Sequence, residues 1–362
     1  MSVKCGIVGL PNVGKSTFFN AVSSSAKAEA ANYPFCTIEP NNSRVAVPDS
    51  KLSQIAEIAG SKEIIPSFIE FVDIAGLVKG ASSGEGLGNK FLGHIREVDA
   101  IIHVLRCFED GNITHVNNKV APLEDLEIIS MELILADLAS MEKMIIKIEK
   151  EAKRGCKEAQ EEFEIAKVII KALSDGKYAS SVQLLAENKR VMKKFGLMTS
   201  KPCIYICNMD ESSLATGNIH SDAVEKAFTG STIRICAQIE AEMSGMSLQD
   251  KKIFMEDLGI KQPGLESVIL ASYKLLGLHS YFTAGPKEAR SWAIKQGEKA
   301  PSAAGVIHTD FEKGFIKAEV ISYDDYMAYK GEMGAREAGK LRIEGRDYVV
   351  QSSDIIHFRF NV

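Results

Sequence analysis

Apolar residues gather in short runs at positions 5–8, 68–72, 101–105, 204–207 and 233–236, separated by longer stretches of mixed polarity. Runs of four or five residues rich in β-branched side chains suit strands buried on both faces, and the intervening stretches suit crossover helices. The pattern predicts an α/β fold with a mostly parallel sheet. One interval is too long, because about a hundred residues separate Leu105 from Cys203, far more than a crossover needs. Within it Met131, Ile134, Leu138, Met141, Ile145 and Ile148 step by threes and fours, and after Gly155 so do Ala159, Phe163, Ala166, Ile170 and Leu173. Two helical stretches about a glycine predict an inserted antiparallel coiled-coil hairpin with a charged outer face. Two ordinary helices lying on the sheet would show the same period, but the length of the interval favours a protruding arm.

From about Leu278 the pattern turns to alternation, as in Phe315–Ile321 and residues 356–360. A Glu344-Gly345 turn signal between residues 341–343 and 348–350 adds an expected hairpin. The resulting division is 1–125 for the first part of the sheet domain, 126–198 for the helical insertion, 199–277 for the second part, and 278–362 for a small, mostly β domain.

Composition narrows the picture only a little. A chain that is 25% charged and 45% hydrophobic can fill two or three cores. A formal charge of −5 excludes coating nucleic acid by bulk charge, so any RNA contact must be focal. Arg336, Lys340, Arg342 and Arg346 group around a turn and are candidates for such contact, against the plainer reading of a solvated mixed-charge surface. No run of about 18 apolar residues exists, and Met1 leads almost directly into the first strand. A cytoplasmic location with no membrane partner is expected. The seven cysteines form no C-x-x-C pair and read as reduced thiols packed as small hydrophobes. Cys203 and Cys207 share a strand face, which leaves a redox pair there as the minor reading.

Gly9-Leu10-Pro11-Asn12-Val13-Gly14-Lys15-Ser16 matches G-x-x-x-x-G-K-[ST] between an apolar strand and a helix-compatible stretch, the context the mechanism requires. The backbone N–H groups of such a loop, with the following helix N-terminus, cradle a nucleotide triphosphate. Asn12, Val13, Gly14, Lys15, Ser16 and Thr17 are thus candidate nucleotide contacts. Lys15 would neutralise β/γ oxygens, and Ser16 would offer its hydroxyl to Mg²⁺. Asp73-Ile74-Ala75-Gly76 closes the second strand as D-x-x-G, placing Asp73 as a metal-side carboxylate and Gly76 as a γ-phosphate contact. Thr37, in the interval where a first switch lies, is the candidate that completes the Mg²⁺ shell. Gly76, Gly80, Gly84, Gly86, Gly88 and Gly93 crowd the following stretch and predict a second switch, with a merely long loop as the alternative.

Two departures from a GTPase pattern carry information. Leu77 occupies the position of the water-orienting glutamine and has no polar group for that task. His115 is the candidate replacement, with His94 and His103 weaker, and a structural histidine is the competing reading. The base-side loop reads Asn208-Met209-Asp210-Glu211 where guanine readers carry N-K-x-D. Adenine lacks the N1–H and 2-amino donors that the aspartate reads, so the change favours ATP. Asn208 would then reach N7 or N6 and Met209 would pack on the ring, while Ala237 and Gln238 form the last base-side loop where S-A-K is usual.

These motifs in this order resemble the YchF-type branch of the Obg-like ATPases, within the translation-factor class of P-loop proteins. The likeness lies in Gly9 to Thr17, in Phe35-Cys36-Thr37-Ile38-Glu39-Pro40-Asn41, in the stretch from Phe71 to Ala81, and in Asn208 to Glu211. The resemblance implies a G domain interrupted by a coiled-coil arm and followed by a β-grasp TGS domain. It further implies ATP preference, a hydrophobic residue at the glutamine position, and ribosome association. Asn12 resembles the P-loop asparagine of potassium-stimulated relatives, so a K⁺ role and a plain loop-capping role both stand open. Three functional readings remain at this stage: an ATPase switch on the ribosome, a GTPase or dual-specificity NTPase, and a nucleotide-gated ribosome- or RNA-binding module with incidental hydrolysis. A small-molecule kinase is disfavoured, since Thr37 and the glycine-rich stretch would have no purpose in it.

Overall fold

The computed structural model describes residues 3–30, 38–39, 41–74, 87–115, 119–185 and 188–361. Its strands begin with β1 (Lys4–Val8), β2 (Ile38–Glu39), β3 (Asn42–Ala46), β4 (Glu63–Ile65), β5 (Phe68–Asp73), β6 (Ala100–Arg106), β7 (Cys203–Asn208) and β8 (Thr232–Ile235). They continue with β9 (Leu278–Ala284), β10 (Glu288–Lys295), β11 (Phe315–Ile321), β12 (Arg342–Glu344) and β13 (Ile355–Phe360). The helices that matter below are α1 (Lys15–Ala30), α2 (Ser50–Ala59), α3 (Leu87–Glu97), α4 (Pro122–Lys153), α5 (Lys157–Ser174) and α6 (Lys189–Phe195).

Seven strands form one sheet in the order β2-β3-β5-β1-β6-β7-β8. The pairings of β1 with β5 and β6, of β6 with β7, and of β7 with β8 are parallel, while β2 and β3 add an antiparallel edge. All five apolar runs are strands of this sheet. β6 at its centre is buried at every position, as a strand covered on both faces must be. Helices cover it, with Phe18, Val22 and Ala26 of α1 and Phe91, Leu92 and Ile95 of α3 in its core.

The long insertion folds as a helical hairpin, α4 against α5. Pro122 starts α4 at a position that needs no N–H donor, and Glu124 and Asp125 in the first turn favour the helix dipole. Ile129 and Leu133 still pack into the sheet core. Beyond them Ile134, Met141 and Ile148 turn to Ile165, Ala166, Ile169 and Leu173 of α5, forming a core of their own that Val191 and Phe195 of α6 close. Gly155 reverses the chain at φ +90°, a left-handed conformation that costs glycine nothing. At the root of the arm, the buried Asp137 carboxylate accepts from Met198 N, Thr199 N and Thr199 Oγ1 at 2.7–3.2 Å. No helix among the described residues is long and apolar enough to cross a membrane.

The second sheet runs β12-β11-β13-β9-β10-β4. The helix Ala300–Ile307 presents Ala300, Ala303 and Ala304 to Tyr281, Ile294, Val320 and Phe358, small side chains that let it lie close in a β-grasp arrangement. Residues 50–65, expected in the first part of the sheet domain, belong here instead. β4 pairs parallel with β10, and Leu52, Ile55 and Ala56 of α2 pack against Phe282, Ala289 and Ile321. The amphipathic face of α2 finds its cover about 230 residues further along the chain, which local periodicity does not reveal. The expected hairpin about Glu344-Gly345 also gives way. β12 pairs with β11, while the backbone of Tyr348 and Val350 bonds to Ala300 and Glu298. No disulfide joins the cysteines among the described residues, and burial pushes the Cys203 thiol up to about 12, which disfavours a redox role.

Candidate nucleotide-binding site

The loop between β1 and α1 is shaped by its backbone. Asn12 and Gly14 adopt left-handed φ values of 62° and 94°. Asparagine tolerates this region better than other side chains, and at Gly14 a Cβ would collide with the Asn208 amide. Asn12 Nδ2 donates to the Thr114 carbonyl at 3.1 Å, and Lys15 Nζ donates to the Leu10 carbonyl at 2.7 Å. Val13 turns its side chain into the core, leaving only backbone for a ligand.

Parallel pairing of β1 with β5 sets Asp73 opposite Ile7, beside the start of this loop. Burial raises the Asp73 carboxyl above the usual range and Lys15 partly offsets the rise; burial likewise lowers the Lys15 ammonium, with Asp73 opposing. Asp73 Oδ1 is buried with no hydrogen-bond partner among the described residues. Ser16 is exposed in the first turn of α1. An orphaned carboxylate oxygen near a hydroxyl-bearing helix start is a donor set that fits a hard cation such as Mg²⁺. Thr37, Gly76 and Leu77, with most of the glycine-rich stretch, lie outside the described residues.

A cavity of about 690 Å³ opens from Asn12 and Gly14–Thr17 toward a base-side end made by residues 208–211 and 236–239. Asn208 does not present itself to a base. Its Nδ2 donates to the Val13 carbonyl at 2.9 Å and its Oδ1 accepts from Ala237 N at 3.0 Å, so this 5% exposed side chain braces the phosphate loop against the last base-side loop. Met209, expected against the ring, is only 2% exposed and packs with Leu105, Cys107, Leu126, Cys207 and Val224. Both expectations are corrected by burial: these side chains build the wall from behind. Asp210 caps the helix Glu211–Leu214, accepting from Ser213 N at 2.9 Å and from Ser212 Oγ at 2.6 Å, bonds that hold its carboxyl below the usual range. Glu211 and Gln238 line the cavity and are exposed, with Gln238 Nε2 donating to Glu242 at 3.2 Å.

His115 is placed otherwise than expected of a water-holding group. Its side chain is 4% exposed and its Nε2 lies 2.8 Å from Asp125 Oδ2, directed at α4. His94 is exposed on α3, and His103 is wholly buried on β6. The sequence reading missed Arg106. This 2% exposed guanidinium donates to the carbonyls of Phe108, Asp110 and Ile113 at 3.0–3.1 Å, stapling a loop whose Phe108, Glu109, Asp110 and Ile113 wall the cavity. A cation ending an otherwise apolar strand was the available signal. The C-terminal cations are individually engaged: Arg336 with Glu332, Lys340 with Asp325, Arg342 with Glu344 and Asp354, and Arg346 with the Phe315 carbonyl.

Comparison with known proteins agrees with this geometry. Residues 4–131 match the family model described as "50S ribosome-binding GTPase", and residues 278–361 match YchF-GTPase_C, described as a protein of unknown function. A "Ribosome-binding ATPase YchF" of Bacillus subtilis is 52% identical over 367 residues, and one of Escherichia coli O157:H7 is 51% identical over 365, each alignment covering 100% of both chains. The solved structure of the Schizosaccharomyces pombe YchF GTPase superposes with a TM-score of 0.89 at 39% identity, covering 99% of this chain and 98% of that one. With the phosphate loop, the inserted arm and the second sheet matched from end to end, this chain belongs to the YchF family.

Proposed function

We propose that this chain binds ATP with Mg²⁺ in the 690 Å³ cavity, hydrolyses it to ADP and phosphate, and uses the nucleotide state to control attachment to the ribosome in the cytoplasm. The observation that carries the nucleotide choice is the base-side loop. Asp210 spends its carboxylate on a helix cap, and Glu211 stands where a guanine reader has aspartate. The names of relatives divide between ATPase and GTPase: the GTPase family model ends at residue 131, before this loop, whereas the Schizosaccharomyces pombe structure that carries the GTPase name spans it. The full-length curated relatives carry the ATPase name.

In this reading the backbone of residues 13–17 cradles the phosphates, and Lys15 neutralises their β/γ oxygens. Ser16 and Asp73, joined by Thr37, hold Mg²⁺, which when bound neutralises charge on the phosphate oxygens. Gly76 meets the γ-phosphate. Leu77 leaves water placement to another group, and His115 can serve only after leaving Asp125. Asn12 caps the loop through Thr114, which leaves its Oδ1 as the atom for K⁺.

Titration calorimetry with ATP and GTP side by side tests the reading, and ATP is expected to bind about ten- to a hundred-fold more tightly. GTP binding equal to or tighter than ATP rejects the base assignment. Turnover raised by ribosomes supports the gated switch, whereas full speed without them marks an enzyme acting alone.

A further inference from the structure

We propose that the outer face of α4 docks an RNA phosphate backbone through Lys143, Lys147 and Lys150. The proposal rests on the ribosome reading above and assigns it a surface. At 100° per residue the three lysines fall within about 60° of one another, roughly opposite the seam that Met141, Ile145 and Ile148 make with the rest of the arm, and they span about 10 Å. All three are exposed.

Most acidic residues of the arm pair with other cations. Glu158, Glu161 and Glu162 of α5 face Arg190 and Lys194, the latter from α6 at 2.5 Å to Glu162, and Glu164 pairs with Lys167. On α4 itself, Glu149 and Glu151 pair with Lys153 and Arg154. Glu142 lies about a quarter-turn from the row. Among the described residues no ion pair reaches Lys143, Lys147 or Lys150. Like charges at i,i+4 and i,i+3 repel on a helix surface, and a polyanion relieves that repulsion. Lysine acts as a point charge on a flexible stem, which suits phosphate contact without base reading. The C-terminal cluster, by contrast, is already engaged by its own carboxylates and carbonyl, so of these two groups of cations the one on the arm is without an ion pair among the described residues.

The test combines Lys143→Gln, Lys147→Gln and Lys150→Gln in the full chain, with a triple Lys→Arg variant and the ion-paired Lys153→Gln as controls. Binding to purified ribosomes and to deproteinised ribosomal RNA is measured against salt, beside ATP affinity. The Gln triple should bind both more weakly and flatten the log–log salt slope by about two to three, from 0.7–0.9 per phosphate. ATP affinity, the Arg triple and Lys153→Gln should follow the wild type. If wild type binds ribosomes and the Gln triple keeps its slope, the surface is wrong and the ribosome reading stands. Wild type that binds no ribosomes overturns both. A defect seen with ribosomes but not with RNA points to a protein partner and rejects the proposal.

Discussion

Nε2 of His115 stands 2.8 Å from Oδ2 of Asp125, and both side chains are almost sealed from solvent. Asp125 belongs to the first turn of α4, where the helix dipole favours a carboxylate, so the pair ties the loop after β6 to the root of the arm. Removing one member leaves the other buried without this partner. His115→Ala is therefore expected to cost about 1–3 kcal/mol of stability. If His115 also leaves Asp125 to hold water, turnover at saturating ATP falls while ATP affinity stays nearly fixed. Denaturant unfolding and steady-state kinetics on the same preparation separate the two roles; unchanged turnover below the melting transition would confine His115 to structure.

Asp73 illustrates a conflict between stability and chemistry. Its carboxyl is raised by burial and only partly relieved by Lys15, so the folded state holds the proton more tightly than the unfolded one. Above the unfolded value the charged form is then a penalty on the fold. Asp73→Asn should raise the melting temperature of the nucleotide-free protein at pH 7 and abolish Mg²⁺-dependent turnover, since an amide is a poor ligand for a hard cation. A lower melting temperature with turnover retained would remove Asp73 from the metal site.

The sheet and the phosphate loop were legible because their signals are local: strand runs at 5–8 and 101–105 report burial on two faces, and the loop motif sits between a strand and a helix. Asn208 and Met209 were misjudged because residue type alone does not say which way a side chain points at the end of a strand. Asn208 lines the cavity, yet its amide is consumed by Val13 and Ala237. Residues 50–65 were assigned to the wrong sheet because the register of β4 on β10 depends on strands that follow more than 200 residues later. Such pairings leave no trace in periodicity.

Arg106 should act on nucleotide binding without touching the phosphates. Its fork satisfies three carbonyls of the loop that walls the cavity, a geometry that a single lysine ammonium cannot reproduce. Arg106→Lys is expected to raise KM for ATP about tenfold, equivalent to roughly 1.4 kcal/mol, with kcat little changed. Binding of inorganic tripolyphosphate, which needs only the phosphate end, should stay the same. Equal losses for ATP and tripolyphosphate would mean that the loop supports the whole site rather than its wall.

His103 gives the fold a defined acid sensitivity. It lies fully buried on the central strand β6, stacked on Tyr205 with ring centroids 5.5 Å apart, and neither ring nitrogen has a hydrogen-bond partner among the described residues. Burial lowers its pKa from 6.5 to about 4, so the imidazole is neutral in the folded protein at pH 7. The unfolded chain takes up the proton near 6.5, whereas the folded chain resists until near 4. Stability is therefore undiminished above the unfolded value, falls as pH drops between the two, and loses nothing more from this group below the folded one. Between pH 7 and pH 5 the loss from His103 should be roughly 2 kcal/mol. His103→Phe keeps an aromatic ring on Tyr205 and removes the titration. Urea unfolding of both proteins at pH 7 and pH 5 measures the difference directly, with the wild type expected to lose about 2 kcal/mol more than the variant. Parallel losses would show that His103 takes up its proton at the same pH in both states, contrary to its sealed position in the sheet.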